Sequence, residues 1–74
     1  MSRLTNQQWV DLVRNTIKIY NDGKTRLGQS YMIALCEMIV SREIDKNLYD
    51  EITGTENDPF YDDLKLINFI KYLL

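Results

Sequence analysis

Apolar residues recur at helical spacing in four separate stretches of the chain, and no stretch alternates strictly as an exposed strand would. The residues that recur in the first stretch are Trp9, Leu12, Val13, Ile17 and Tyr20. Thr5 and Gln8, just before them, have the spacing of a capping box, and Gly23 suits the left-handed position that follows a helix. The pattern therefore predicts a first helix between these two signals, with the recurring residues as its apolar face.

The second stretch is apolar almost all the way round. Residues 26–40 are predicted to be helical with Thr25 as N-cap, and one face would carry Leu27, Tyr31, Leu35, Met38 and Ile39. Further apolar residues fill much of the remaining surface, which is typical of a central helix or of a seam between subunits. Gly28 in the first turn weakens a helix but permits close approach of another backbone. Its presence indicates tight packing or, less commonly, a ligand.

Two shorter stretches complete the helical pattern. The third, over about residues 46–53, places Ile44, Leu48 and Ile52 four residues apart, and Gly54 closes it. The last helix begins at about residue 62 or 63 and ends near 72, with an apolar stripe of Leu64, Ile67, Ile70 and Leu74 beside Phe69 and Leu73. The sequence thus predicts an all-α fold, a small single-domain bundle over residues 1–74 with three longer helices and one short helix.

The connection over residues 53–63 is unusually dense in special residues, including the only proline and four acids. Asp58 and Pro59 fit the N-cap and first position of a helix, and Thr55 is expected to bond the backbone near residue 57 or 58. We expect Arg26 and Gln29 to clamp the 53–58 turn, because a guanidinium and an amide can satisfy its orphan backbone groups. The alternative is a pocket for a small anion such as a nucleotide, lined by Arg26, Gln29, Thr55 and Tyr61.

Residue types argue against catalysis. The chain has no histidine, so the commonest general base is missing. Its single cysteine, Cys36, lies in the apolar middle of a predicted helix, an environment that keeps a thiol unreactive. Asp58, Asp62 and Asp63 lack the spacing of a calcium loop and are better explained as a cap and two solvated first-turn residues. We therefore expect a protein that is not an enzyme and that binds no metal or cofactor.

Charge is polarised along the chain. Residues 1–42 carry six basic and three acidic side chains, whereas residues 43–74 carry three basic and eight acidic ones. Either the two halves attract each other in the fold, or the acidic stretch over residues 50–63 faces a basic partner. The scattered basic residues argue against nucleic-acid binding, and no apolar run approaches membrane-spanning length. An apolar content of 45% favours a homodimer or a tight partner contact as much as a compact monomer.

Two blocks in this order also carry a resemblance. The first is Arg26-Leu27-Gly28-Gln29, and the second is Gly54-Thr55 followed by Asp58-Pro59-Phe60-Tyr61. With them the chain resembles a group of short, mostly uncharacterised proteins of tailed phages and prophages. The resemblance implies a phage or prophage source and an accessory protein that acts on host or defence machinery in the host cytoplasm, where one unpaired cysteine also fits.

Three functions follow from these expectations. The first is a binding protein that blocks a host or anti-phage defence protein, through the acidic stretch with Asp58 and Asp62 or through exposed aromatic residues such as Tyr61 and Tyr72. The second is a module that sequesters a nucleotide or another small anion through Arg26. The third is a self-assembling structural subunit that uses the second helix as its seam.

Overall fold

A computed structural model describes residues 3–74, and across that range it contains helices and turns but no strand. The helices are α1 (Asn6–Asn21), α2 (Leu27–Val40), α3 (Lys46–Ile52) and α4 (Leu66–Leu73), and a 3₁₀ turn over Asp63–Lys65 leads directly into α4. The all-α prediction is confirmed, including the single short helix between the second and the last. The molecule measures 30 × 24 × 19 Å.

The first helix has the ends that its sequence predicts. The Thr5 hydroxyl accepts a hydrogen bond from the Gln8 amide at 3.1 Å, and the Gln8 side chain accepts one from the Thr5 amide at 2.8 Å. Gly23 follows the helix with a φ of 79°, the left-handed conformation that a glycine tolerates at no cost. Both ends of α1 are therefore fixed by local sequence.

The second helix begins differently from the prediction. Its N-cap is Arg26 rather than Thr25, and Arg26 provides no capping side chain. The Thr25 hydroxyl instead pairs with the Ser30 hydroxyl at 2.6 Å, and Ser30 donates to the Arg26 carbonyl at 2.8 Å. The first turn of α2 thus needs a hydrogen-bond acceptor from elsewhere in the chain.

One hydrophobic core lies around α2, as its nearly continuous apolar surface predicts. The buried apolar side chains come from all four helices and from the segments just before α1 and α3. They are Leu4, Leu12, Met32, Ala34, Leu35, Met38, Ile44, Leu48, Ile52, Phe69 and Leu73. The Tyr31 ring of α2 packs on the Phe69 ring of α4 with 5.7 Å between centroids. The predicted spacing of Ile44, Leu48 and Ile52 is confirmed, since all three are buried.

The two outer helices bury only part of their predicted apolar faces. On α1, Leu12 and Thr16 are buried, whereas Val13 and Ile17 are exposed. The stripe predicted for the last helix is likewise wrong in part, because Leu64, Ile67 and Leu74 are exposed while Phe69 and Leu73 fill the core. Apolar residues cover more of each outer helix than one neighbouring surface can bury, and a chain of this length has little surface to offer.

No helix between residues 3 and 74 combines the length and apolarity that crossing a bilayer requires.

Candidate functional site

The polar side chains of the connection over residues 53–63 bind the backbone of the connection itself. Asp58 accepts from the Gly54 amide at 2.8 Å with one carboxylate oxygen and from the Phe60 amide at 2.9 Å with the other. The position of Asp58 before Pro59 predicts that it caps the last helix, and this prediction is wrong. Asp62 instead caps the 3₁₀ turn that leads into α4, by accepting from the Leu64 amide at 2.9 Å.

Thr55 stabilises the first half of the same connection. Its hydroxyl donates to the Ile52 carbonyl at 2.6 Å and accepts from the Asn57 amide at 3.1 Å. The second bond confirms the expectation that Thr55 bonds the backbone near residue 57. The hydroxyl is thus engaged in both directions and holds the chain as it leaves α3.

The start of α2 fastens the second half of the connection. The Arg26 guanidinium donates to the Phe60 carbonyl at 2.6 Å, and the Asp63 carboxylate accepts from the Gly28 amide at 2.9 Å. The predicted clamp of the 53–58 turn by Arg26 and Gln29 is therefore wrong in its target, because Arg26 bonds Phe60, which follows that turn. Gln29 is half-buried, and its side chain makes no hydrogen bond to the described part of the chain.

Gly28 lies where the connection comes closest to α2. A Cβ atom at this position would overlap the Pro59 carbonyl oxygen and would lie 2.8 Å from an Asp63 carboxylate oxygen and 3.0 Å from Pro59 Cβ. Glycine is therefore required for close packing against Pro59, which is itself buried. Of the two explanations for this glycine, the structure supports packing.

The predicted anion pocket does not form as one site. Tyr61 is 84% exposed, with its ring edge-on to the Phe60 ring at 4.8 Å between centroids. The cavity of about 160 Å³ beside it is bordered by Phe60 and Asp58 and by residues of α2 and α3, but not by Arg26, Gln29 or Thr55. The Arg26 guanidinium, which an anion would need, is already bonded to the Phe60 carbonyl.

The acidic stretch is largely used inside the molecule. Asp58, Asp62 and Asp63 each accept a backbone hydrogen bond, and Glu51 pairs with Arg3 at 3.1 Å. No group of three or more potential metal ligands occurs among residues 3–74. The acidic stretch, which the sequence suggests as a binding surface, therefore bonds mainly to other parts of the same chain.

Cys36 differs from its predicted setting. It lies in the middle of α2 but is exposed, because it borders a groove of about 380 Å³ between α2, Tyr49 and Phe60. Val40, 78% exposed, lies at the end of the same groove. The groove is a second apolar surface of the molecule, smaller than the one on α1.

A row of exposed apolar side chains runs along α1, and we call it the helix-1 stripe. It consists of Val10, Val13, Ile17 and Tyr20, whose side chains are 48%, 37%, 52% and 47% exposed. Their spacing of three, four and three residues places them on one side of the helix. They border a shallow depression of about 550 Å³ together with Trp9, Arg14 and Lys18.

Two basic side chains follow one edge of the helix-1 stripe. Arg14 and Lys18 are exposed and lie one turn apart, and the one ion pair within residues 3–74 is that of Arg3 with Glu51. The acid of the same helix, Asp11, accepts from the Gln7 side chain at 3.0 Å. At 100° per residue it lies roughly 140° around the helix from the middle of the stripe. At the same 100° per residue Asp11 lies about 20° from Lys18 and about 60° from Arg14, so this edge carries a carboxylate beside the two basic side chains.

Sequence reasoning missed this surface although a signal for it exists. The helical spacing places Val13, Ile17 and Tyr20 on one face with Leu12, but Val10 extends them into a second stripe that overlaps the first. An apolar surface wider than a single core requires is the signal that distinguishes an interface helix from an ordinary amphipathic one.

Comparison of the chain with protein-family models, with curated protein sequences and with solved structures gives no significant match. The resemblance to small phage proteins therefore stays a prediction, and the candidate site is assigned from geometry.

Proposed function

We propose that this chain is a non-catalytic binding protein that blocks a host or anti-phage defence protein by covering part of its surface. The contact is made by the helix-1 stripe. One observation supports this most directly: four large apolar side chains are exposed in a row on a helix whose adjoining face is buried in the core. Contiguous apolar surface of this kind on a small protein marks interaction sites.

The stripe is better suited to binding than the acidic connection is. Arg26, Thr55, Asp58 and Asp62 are committed to backbone hydrogen bonds, and breaking those bonds to reach a partner would cost stability. The side chains of the stripe make no such bonds, so a partner can cover them without disturbing the fold. The same commitment of Arg26 weakens the alternative of a nucleotide-sequestering module.

The stripe is also held in place before binding. The capping box fixes the start of α1, and the buried side chains Leu12 and Thr16 anchor the helix through the face next to the stripe. A rigid surface loses little conformational entropy when a partner covers it, which favours affinity. Tyr20 at one end, and Trp9 beside the stripe, are residue types that dominate binding energy in protein interfaces.

The test is capture of a partner from a lysate of the bacterial host with tagged protein. Wild-type protein is expected to retain one stoichiometric partner, and Val10→Asp/Ile17→Asp is expected to lose it while keeping its helical circular dichroism. Val40→Asp is the matched control, because it places a carboxylate on an exposed apolar residue of α2 away from the stripe. Retention of the partner by the double variant would contradict the proposal.

A further inference from the structure

We infer that the groove beside Cys36 binds a small apolar molecule that carries an amine. We call this cavity the α2 groove; it lies between Ile33, Cys36 and Val40 of α2 and the rings of Tyr49 and Phe60. None of the residues that border it belongs to the helix-1 stripe or to the depression beside that stripe. The inference therefore concerns a second site and does not depend on the proposed contact.

The size of the α2 groove indicates a small molecule. Its volume of about 380 Å³ lies within the range of roughly 300–1,000 Å³ that ligand pockets have. Since a cavity of about 150 Å³ can hold benzene, the groove has room for a ring with a short chain. Eight residues border it, whereas a stable protein interface involves about 20–30 residues on each side. The groove alone is thus too small to hold a second copy or another protein.

The lining of the groove indicates an apolar ligand. Ile33 and Val40 contribute aliphatic surface, and Tyr49 and Phe60 contribute half-buried rings. Val40 is 78% exposed, and Cys36 is exposed beside it. A ligand that covers these side chains removes apolar surface from water, which is the main source of affinity in such pockets.

One carboxylate on the border favours a ligand with an amine. Glu37 borders the groove, and its side chain makes no ion pair or hydrogen bond within residues 3–74. Ser41, also on the border, is already bonded, because its hydroxyl donates to the Met38 carbonyl at 3.1 Å and lies 3.2 Å from a Glu43 carboxylate oxygen. The Tyr49 phenol can donate or accept and does not discriminate. An ammonium group can therefore pair with Glu37 without breaking a bond of the fold.

The charges next to the groove leave this preference in place. The segment after α2 carries two basic residues, Arg42 and Lys46, but also two acidic ones, so its net charge is zero. At the other end, Arg26 and Asp58 both bond the backbone of Phe60, and their charges also cancel. The C-terminal end of α2 adds partial negative charge, and its last turn contains no basic residue. Together with Glu37, this helix end attracts a cation.

Three ligands that share a ring and a short chain test the inference, namely 4-phenylbutylamine, 4-phenylbutan-1-ol and 4-phenylbutyrate. Each is titrated at low salt into isotope-labelled wild-type protein while the backbone amide signals are followed by NMR. Shifts are expected at residues 33–41, 49 and 60, which border the groove. The amine should bind about threefold more tightly than the alcohol, and the carboxylate most weakly, because an exposed ion pair contributes little.

Four variants assign the effect to the groove. Glu37→Gln is expected to bind the amine and the alcohol equally, with the alcohol affinity unchanged. The matched control, Glu56→Gln, removes an exposed carboxylate of the connection and should retain the preference. Cys36→Phe fills the groove from an exposed position and should bind none of the ligands while keeping its helical circular dichroism. Val10→Asp/Ile17→Asp should bind the amine as wild type does, so this test is independent of the lysate assay.

Several results would overturn the inference. They are the absence of shifts at the groove, equal binding of the three ligands, and a preference for the amine that survives Glu37→Gln. Shifts at the groove that appear when the protein alone is diluted would also overturn it, because they would show that a second copy covers the groove.

Discussion

The connection over residues 53–63 and the helix-1 stripe differ in how the molecule uses their side chains. In the connection, Asp58 and Thr55 hold the backbone, and Arg26 reaches across from α2 to join them. In the stripe, Val10 and Ile17 are exposed without polar partners. The residues that look most special in the sequence therefore maintain the fold, and the ordinary aliphatic residues are available to a partner.

The difference has a physical origin in the backbone. A helix bonds its own amides and carbonyls, so its outward side chains are free for other contacts. An irregular connection has no such ladder, and its buried or half-buried backbone groups must find partners among nearby side chains. Dense clusters of Asp, Thr, Gly and Pro are thus a sign of turn construction before they are a sign of function.

Gly28→Ala should have the largest effect on stability. The new Cβ would overlap the Pro59 carbonyl, so we expect the free energy of unfolding to fall by about 1–3 kcal/mol in urea titration. The same substitution in an unconstrained helix interior stabilises a protein by roughly 0.5–1 kcal/mol. A gain in stability would show that the connection does not pack closely on α2. Glu37→Ala, exposed on the same helix, serves as the control.

Asp58→Ala should follow, because it leaves the Gly54 and Phe60 amides without their acceptor. We expect a loss of about 2 kcal/mol in the same titration. Glu56→Ala removes a neighbouring carboxylate whose side chain makes no hydrogen bond within residues 3–74, and it should leave stability nearly unchanged. Equal effects of the two substitutions would mean that charge, rather than these two bonds, maintains the connection.

Arg26→Ala should cost less, because one hydrogen bond to the Phe60 carbonyl is lost at an exposed site. We expect the free energy of unfolding to fall by about 1 kcal/mol, which lowers the melting temperature of a domain of this size by several degrees. Arg26→Lys should recover part of the loss. An unchanged melting temperature would show that the bond from Arg26 to Phe60 does not stabilise the fold. If added nucleotide raised the melting temperature of the wild type but not of Arg26→Ala, the anion site would be supported instead.

Ile17→Ser should have the smallest effect on folding, within about 0.5 kcal/mol, because more than half of the side chain is exposed. Its effect on partner capture should nevertheless be larger than that of any substitution in the connection that leaves the protein folded. Differential scanning calorimetry measures the stability, and the lysate assay measures partner capture, on the same preparation of the variant. A destabilised Ile17→Ser would place the residue in the core and remove the contrast between the two regions.

Local sequence was sufficient to predict the helices and the way the first of them is capped. Thr5 and Gln8 form their box within four residues, and Gly23 ends α1 as its type suggests. Each of these features depends on neighbours in the chain, so no knowledge of the tertiary structure is needed.

Choices that depend on distant neighbours could not be predicted. Periodicity shows that α1 has an apolar face, but packing against α2 decides that Leu12 lies inside while Val13 lies outside. The Asp58-Pro59 pair matches a helix start, yet Asp58 bonds back to Gly54 because the chain turns again before α4 begins. The partners of Arg26 and Gly28 lie more than thirty residues away, at Phe60 and Asp63.

The bond from Gly28 to Asp63 also sets an order of events during synthesis. The Gly28 amide in the first turn of α2 is capped by the carboxylate of Asp63, which lies 35 positions later in the chain. While the chain emerges from the ribosome, that turn is left uncapped until residue 63 is present. We expect nascent chains that end before residue 63 to be digested rapidly by protease, and the native fold of residues 3–74 to form only when Asp63 and α4 dock.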